Sequence, residues 1–484
     1  MNAEQTTGRV WNRRRTEKQR RLAEANMPGK VIPTDQLVSV LENLLAPGDR
    51  VVLEGNNQKQ ADFLSRMLAE VNPQKIHDLH MIMPSVGRSE HLDLFEKGIA
   101  RKLDFSFSGT QSLRISQLLE DGLLEIGAIH TYIELYSRLY VDLSPNVALI
   151  AGYKADRKGN LYTGPSTEDT PALVEAAAFH DGIVIAQVNE LVDDECDLPR
   201  VDIPGSWIDY VVVADKPFFI EPLFTRDPRL IKQEHILMAM MAIKGIYAEH
   251  QVQSLNHGIG FNTAAIELLL PTYGEQLGLK GKICKHWTLN PHPTLIPAIE
   301  SGWVESVHCF GGAPNMGHDP HGRRHATPAW LNMITEPDPM QRGKKLVVQM
   351  VETFQAGVKP TFVETLDAVE VAKTSGMPLA PVMIYGDDVT HVLTEEGIAY
   401  LYRAESLEER RAMVAAVAGI TDIGLGVDAK RVAALRQSGK VVYPEDLGIR
   451  RSDATRSLLA AGSVADLVEW SDGLYNPPAK FRSW

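Results

Sequence analysis

Arg50-Val-Val-Leu-Glu-Gly55, with the segment from Lys59 to Val71 behind it, decides how this chain folds. A short aliphatic run closed by glycine reads as a buried strand. The second segment sets Phe63, Leu64, Met67 and Leu68 on one helical face. Ile76–Met83, stopping before Pro84, reads as the next strand. Further β-type runs follow at Leu123–His130, Val147–Ala151, Ile183–Val188 and Ile208–Val213, with a helical stretch at Ala172–Phe179 behind Pro171. Strands that alternate with helices have both sheet faces covered. The pattern therefore predicts an α/β fold of mainly parallel sheets flanked by helices.

The periodicity stops at Glu221-Pro-Leu-Phe-Thr-Arg-Asp-Pro228, where two prolines bracket a linker. A helix rich in Met and Ile follows at Leu230–Ile246. A second strand–glycine–helix unit then opens with Gln253-Ser-Leu-Asn-His-Gly258-Ile-Gly260 and runs into Asn262–Leu270. This unit echoes the first, so two tandem α/β domains are expected, over residues 31–225 and 226–484. Residues 1–30 precede them as a basic arm. Its Arg13, Arg14, Arg15, Lys18, Arg20 and Arg21 read either as a solvated helix or as a dock for an acidic partner protein. A strand is expected at Val382–Tyr385, and Ser406 with Glu409 forms a capping box.

Composition narrows the class. The 484 residues include 49 Lys+Arg and 62 Asp+Glu, a formal net charge of −13. That balance argues against a general nucleic-acid binder, because phosphate repels an acidic surface. Hydrophobic residues at 44% exclude intrinsic disorder. Cys196, Cys284 and Cys309 are far apart and odd in number, so neither a disulfide framework nor a zinc knuckle is expected. A reduced, cytoplasmic setting follows from that usage. The polar, basic N-terminus does not read as a signal peptide, and no apolar run approaches membrane-spanning length.

Four stretches carry candidate chemistry. Gly258-Ile-Gly260-Phe-Asn-Thr263 places free backbone N–H groups where a strand meets a helix start. This suits a carboxylate, a phosphate or a tetrahedral oxyanion, and equally serves as a plain tight turn. Gly55-Asn56-Asn57-Gln58-Lys59-Gln60 occupies the same place in the first unit, and its amides suit a ligand with several oxygens. In Cys284-Lys285-His286-Trp-Thr-Leu-Asn290-Pro-His292, the residues Lys285, His286, Asn290 and His292 are expected to address an anion at the carboxyl end of a strand. Gly311-Gly-Ala-Pro-Asn315-Met-Gly-His-Asp-Pro-His321-Gly-Arg323-Arg324-His325 is the densest. Its histidines match no zinc spacing and two arginines repel a divalent cation. Arg323 and Arg324 suit a carboxylate or phosphate instead, with a surface loop as the plainer reading.

Several of these stretches resemble one family. Glu54-Gly-Asn-Asn-Gln-Lys-Gln-Ala-Asp62, Asn256-His-Gly-Ile-Gly-Phe261, Asn290-Pro-His-Pro-Thr-Leu-Ile-Pro-Ala-Ile-Glu300, Gly311–Trp330 and Ile220-Glu-Pro-Leu-Phe-Thr-Arg226 are similar to the malonate decarboxylase alpha subunits. Ser144–Gly164, Val184–Asn189 and Val392-Leu-Thr-Glu-Glu-Gly397 resemble, more remotely, the tandem-domain CoA transferase and acetyl-CoA hydrolase superfamily.

The resemblance implies two tandem CoA-transferase-like domains and an acyl-carrier-protein transferase that exchanges acetate for malonate on the carrier thiol. No cofactor bound to the chain itself is implied: the carrier would supply a phosphoribosyl-dephospho-CoA arm, and decarboxylase subunits would be further partners. Gly258, Gly260, His286 and Asn315 are the expected catalytic residues. Asn56, Asn57, Gln58, Lys59, Lys285, Asn290, His321, Arg323 and Arg324 are the expected substrate and carrier-arm contacts. No metal site is expected. Two departures from the resemblance matter. Where the superfamily carries a glutamate that becomes a thioester, this chain reads Lys285-His286-Trp287, which implies direct transfer, with Glu54 and Glu190 as the carboxylates to inspect. The family also carries several dozen residues between the equivalents of Phe310 and Gly311, which this chain lacks. The alternatives are an enzyme acting on free CoA thioesters and an inactive scaffold subunit.

Overall fold

The computed structural model describes residues 10–55, 59–164, 169–218, 227–258, 260–289, 293–309, 346–355, 358–382 and 386–471. The chain divides into two compact units: residues 1–221 with 367–383, and residues 222–366 with 384–484.

In the first unit the strands are β1 (Val31–Ile32), β2 (Arg50–Leu53), β3 (Leu79–Ser85), β4 (Ala100–Phe107), β5 (Glu125–Ile129), β6 (Val147–Asp156), β7 (Leu161–Tyr162), β8 (Ile183–Val192) and β9 (Tyr210–Val213). They form one sheet in the order β1-β9-β8-β6-β2-β3-β4-β5, parallel throughout except where β7 pairs antiparallel with β6. Central strands such as β2 and β6 are aliphatic and bury almost every residue, as a sheet covered on both faces requires. The opening stretch is therefore β2, and the helix behind it is Asp62–Leu68, shorter than the periodicity suggests. Phe63, Leu64 and Leu68 lie in the core, while Met67 packs at its margin.

The helix Val10–Ala25 is solvated along one face, where Arg13, Arg15 and Arg20 are exposed, and engaged along the other. Arg21 is buried and pairs with the buried Asp49, and its guanidinium also donates to the Leu44 carbonyl at 3.1 Å. Lys18 reaches Asp209 at 2.8 Å and the Gly182 carbonyl at 2.7 Å. Arg14 donates to the Pro145 carbonyl at 3.1 Å. Several of the basic side chains that suggested a partner dock are thus engaged within the first unit itself.

The second unit carries a three-stranded parallel sheet of β10 (Ser254–His257), β11 (His286–Leu289) and β12 (Ser306–Cys309). Beyond it lie β13 (Val348–Met350), the antiparallel pair β14 (Phe354–Gln355) and β15 (Lys359–Pro360), then β16 (His391–Leu393), β17 (Ile398–Tyr400) and β18 (Val441–Val442). The sheet β13-β16-β17-β18 is parallel only between β13 and β16. The Met-rich helix Gln233–Met241 widens into a π-type turn over Ala242–Tyr247. Cys284 sits buried ahead of β11 at φ +57°, with a free thiol, whereas Cys196 is exposed and free. Ser406 caps the helix Leu407–Ala416 by accepting from the Glu409 N–H at 3.1 Å. Part of the strand expected at Val382–Tyr385 lies outside the described residues. Among the described residues no helix is long and apolar enough to cross a membrane.

Candidate functional site

In the first unit the candidate loop leaves the carboxyl end of β2. A bridge between Gly55 and Gln60 closes it, and the Ala61 N–H donates to the Glu54 carbonyl at 2.8 Å. Gly55 has no substitute here, because an added Cβ would stand 2.6 Å from the Ser85 carbonyl oxygen. Lys59 turns inward rather than toward a ligand. It is fully buried, with its ammonium 3.2 Å from Glu54 Oε1 and bonded to the Thr170 hydroxyl. Thr170 donates to the same Glu54 oxygen at 2.5 Å, and the Ala151 N–H donates to the other at 2.8 Å. Burial pushes the Glu54 carboxyl above its ordinary range, against the opposing pull of Lys59. Both oxygens of Glu54 are thus held from inside. Glu190 is half-exposed on β8 and pairs with Lys154 at 2.9 Å. Asn56, Asn57 and Gln58 lie outside the described residues.

Beside this loop, Arg66, Arg88, Glu90, His91 and Lys216 help line a cavity of about 30 Å³, room for little more than a water. His91 is fully buried; burial, with Arg88 nearby, lowers its imidazole to about 4, so it is neutral at pH 7.

In the second unit the glycine turn leaves the carboxyl end of β10. Gly260 is extended at φ 170° and caps the helix Phe261–Leu269. Gly258 is exposed, with no atom within 4 Å of where a Cβ would stand. The Thr263 hydroxyl lies 2.7 Å from the Gly258 carbonyl and 3.0 Å from that of Gly260. The first N–H groups of a helix have no partner within it, and the start of a helix favours an anion.

Lys285 and His286 do not join this turn. β10 and β11 are parallel with Ser254 opposite His286 and His257 opposite Leu289. His286 therefore starts its strand, about 10 Å back along it from the glycine turn. It faces the Ser306 hydroxyl at 3.0 Å, while Lys285 pairs with Glu305 at 2.7 Å. The expectation of Lys285 and His286 at the carboxyl end of a strand fails because the strand is His286–Leu289, which His286 opens and Lys285 precedes. Asn290, His292, Asn315, His321, Arg323 and Arg324 lie outside the described residues.

Motif reading missed a buried polar chain beneath the turn. His257, the last residue of β10, has Nε2 3.0 Å from the Tyr247 hydroxyl and Nδ1 3.2 Å from Glu267 Oε1. Thr294 donates to Glu267 Oε2 at 2.5 Å. The local signal is Glu267 interrupting the apolar run Ala264–Leu270. Among the described residues no group of three His, Cys, Asp or Glu is placed to hold a metal ion.

Comparison with known proteins fits this geometry. The family model described as "Malonate decarboxylase, alpha subunit, transporter" matches residues 10–312 and 309–484. A curated protein of Malonomonas rubra, acetyl-S-ACP:malonate ACP transferase, is 50% identical over 553 residues, covering 98% of this chain and 99% of the relative. That alignment is several dozen positions longer than the 484-residue chain, and the two stretches of the family match meet at residues 309–312. The malonate decarboxylase alpha subunit of Acinetobacter baumannii superposes with a TM-score of 0.87 at 66% identity, over 98% of this chain and 100% of that one. A chain of a Pseudomonas malonate decarboxylase hetero-tetramer, solved in complex with malonate, gives 0.88 at 67% identity, over 99% and 100%. A citrate lyase alpha subunit from Streptococcus mutans, 14% identical with a TM-score of 0.55 over 90% of this chain and 86% of that one, shares the fold alone. With nearly its whole length matched, this chain belongs to the malonate decarboxylase alpha-subunit family.

Proposed function

We propose that this chain is an acetyl-S-ACP:malonate ACP transferase acting in the cytoplasm as the alpha subunit of a multisubunit malonate decarboxylase. The observation that carries the reading is the near-complete match to a curated enzyme of that name at 50% identity. The acyl carrier protein is the second substrate, and its phosphoribosyl-dephospho-CoA arm arrives with it.

In the proposed reaction a malonate carboxylate oxygen attacks the acetyl thioester carbonyl. The oxyanion so formed is held by N–H donors of the Gly258–Gly260 turn. It collapses with expulsion of the carrier thiolate, leaving an acetyl-malonyl anhydride. The thiolate then attacks the malonyl carbonyl and acetate departs. No net proton is exchanged, so the protein's tasks are positioning, anion stabilisation and exclusion of water. Arg323 and Arg324 are assigned the malonate carboxylate that does not react. The saturated, buried state of Glu54 supports direct transfer over a glutamyl thioester on that residue.

The test is acyl exchange between purified chain, acetylated carrier and labelled malonate. Label on the carrier thiol, lost in the Arg323→Ala/Arg324→Ala double variant and absent when free acetyl-CoA replaces the carrier, is the expected result. Unchanged exchange in the double variant overturns the arginine assignment, and a borohydride-trapped carrier thioester on any glutamate overturns direct transfer. The short join near residues 309–312 favours a second reading, an assembly subunit without turnover. Carrier that binds yet never takes up label supports that reading.

A further inference from the structure

We infer that Tyr247, His257, Glu267 and Thr294 form a positioning network that locks the Gly258–Gly260 turn to the segment following β11, with His257 as its centre. The inference rests on the reading of that turn as the oxyanion site and goes beyond it by naming what holds the turn in place.

The geometry is a closed ring. His257 ends β10 immediately before the turn, and Glu267 lies on the helix that begins immediately after it. Gly260 and Glu267 are seven residues apart, which puts them on the same helix face two turns from one another. The 3.2 Å contact between His257 Nδ1 and Glu267 Oε1 therefore spans the turn from below. Any change in the angle between strand end and helix start breaks that contact. The second carboxylate oxygen accepts from Thr294, which follows the carboxyl end of the neighbouring strand β11. One carboxylate thus ties together the exits of two adjacent parallel strands, the location where open α/β sheets bind ligands.

The chain of hydrogen bonds has a direction. A carboxylate oxygen accepts, so His257 Nδ1–H donates to Glu267. The other ring nitrogen, Nε2, then accepts from the Tyr247 hydroxyl. The imidazole is further fixed edge-on against Trp287, with ring centroids 4.6 Å apart at 82°. All four polar residues and Trp287 are buried among Met, Ile and Leu side chains. Aliphatic residues would fill the same space without desolvating a carboxylate. A fully paired polar chain restricts the geometry more narrowly than apolar packing does.

The experiment uses the full chain with its carrier. His257→Gln and the isosteric Glu267→Gln are each expected to lower kcat for malonyl transfer roughly 100-fold while KM for malonate and carrier moves less than about threefold, as displacement of the donors without loss of binding requires. Amide exchange at Gly258 and Gly260 is expected to rise roughly tenfold in the same variants, with the strands of the first unit unchanged. Should His257→Gln fail to fold, Tyr247→Phe keeps the packing and removes only the phenol donor; about a tenfold fall in kcat is then expected. Wild-type kcat together with wild-type exchange in folded variants overturns the network, and so does a loss carried by KM. Gly258→Pro separates the two failures. If it abolishes transfer while the network variants do not, the network alone is wrong; if it leaves transfer intact, the oxyanion reading is wrong as well. If the wild-type chain itself turns over no substrate, amide exchange decides on its own.

Discussion

The residue on which the first unit turns is Glu54, a carboxylate with no exposure, tied to an ammonium with none. Removing one partner of such a pair leaves a buried charge uncompensated. Lys59→Met is therefore expected to lower the stability of the first unit by about 3–5 kcal/mol, read from chemical denaturation. Replacing both, Glu54→Leu with Lys59→Met, is expected to recover most of that loss, since neither charge then remains to be solvated. A double variant as unstable as the single one contradicts this account. Lys59 was visible in the sequence as part of a polar loop, yet its inward direction was not, because its partner Thr170 lies about a hundred residues away.

At the scale of elements, three neighbouring strands share one buried carboxylate. Asp104 on β4 lies 2.5 Å from His80 on β3 and 2.6 Å from His130 just beyond β5. Burial raises the Asp104 carboxyl, but the hydrogen bonds of His130 and His80 outweigh it and hold the group at about 2. That lies below the unfolded value of about 3.9. The stabilisation is accordingly complete above about pH 4 and is lost as pH falls through about 2. Asp104→Asn is expected to lower stability near neutrality by about 2 kcal/mol and to flatten the acid limb between those limits, seen in unfolding curves across pH. Most elements were legible beforehand: the strands at Val147–Asp156 and Ile183–Val192 open with the aliphatic runs Val147–Ala151 and Ile183–Ala186, which a sheet covered on both faces explains. The start of β11 was not legible. His286-Trp-Thr-Leu289 alternates no more clearly than the residues before it, and the partner strand alone sets the register. The helix Val10–Ala25 misled for a related reason: a run of arginines reads the same whether solvent or backbone carbonyls receive it.

For the whole molecule, each unit has its own hydrophobic clusters, one set built on the nine-stranded sheet and another on the Met-rich helix and Trp287. Separate cores predict more than one cooperative transition in calorimetry. Lys59→Met is then expected to shift only the transition of the first unit, and Glu267→Gln only that of the second. A single transition moved by both variants contradicts independent cores.

Cys284 provides a means of watching this. Its thiol is buried at the foot of β11, where desolvation pushes it well above the ordinary thiol range. In the closed protein it is inert to alkylation, because the thiolate is the reacting species. Each molecule that takes up label at Cys284 records one opening of the second unit. Cys196, exposed on the first unit, reacts throughout and serves as the internal standard. The ratio of the two, followed by peptide mapping in the presence and absence of malonate, tests whether malonate changes the opening of the second unit.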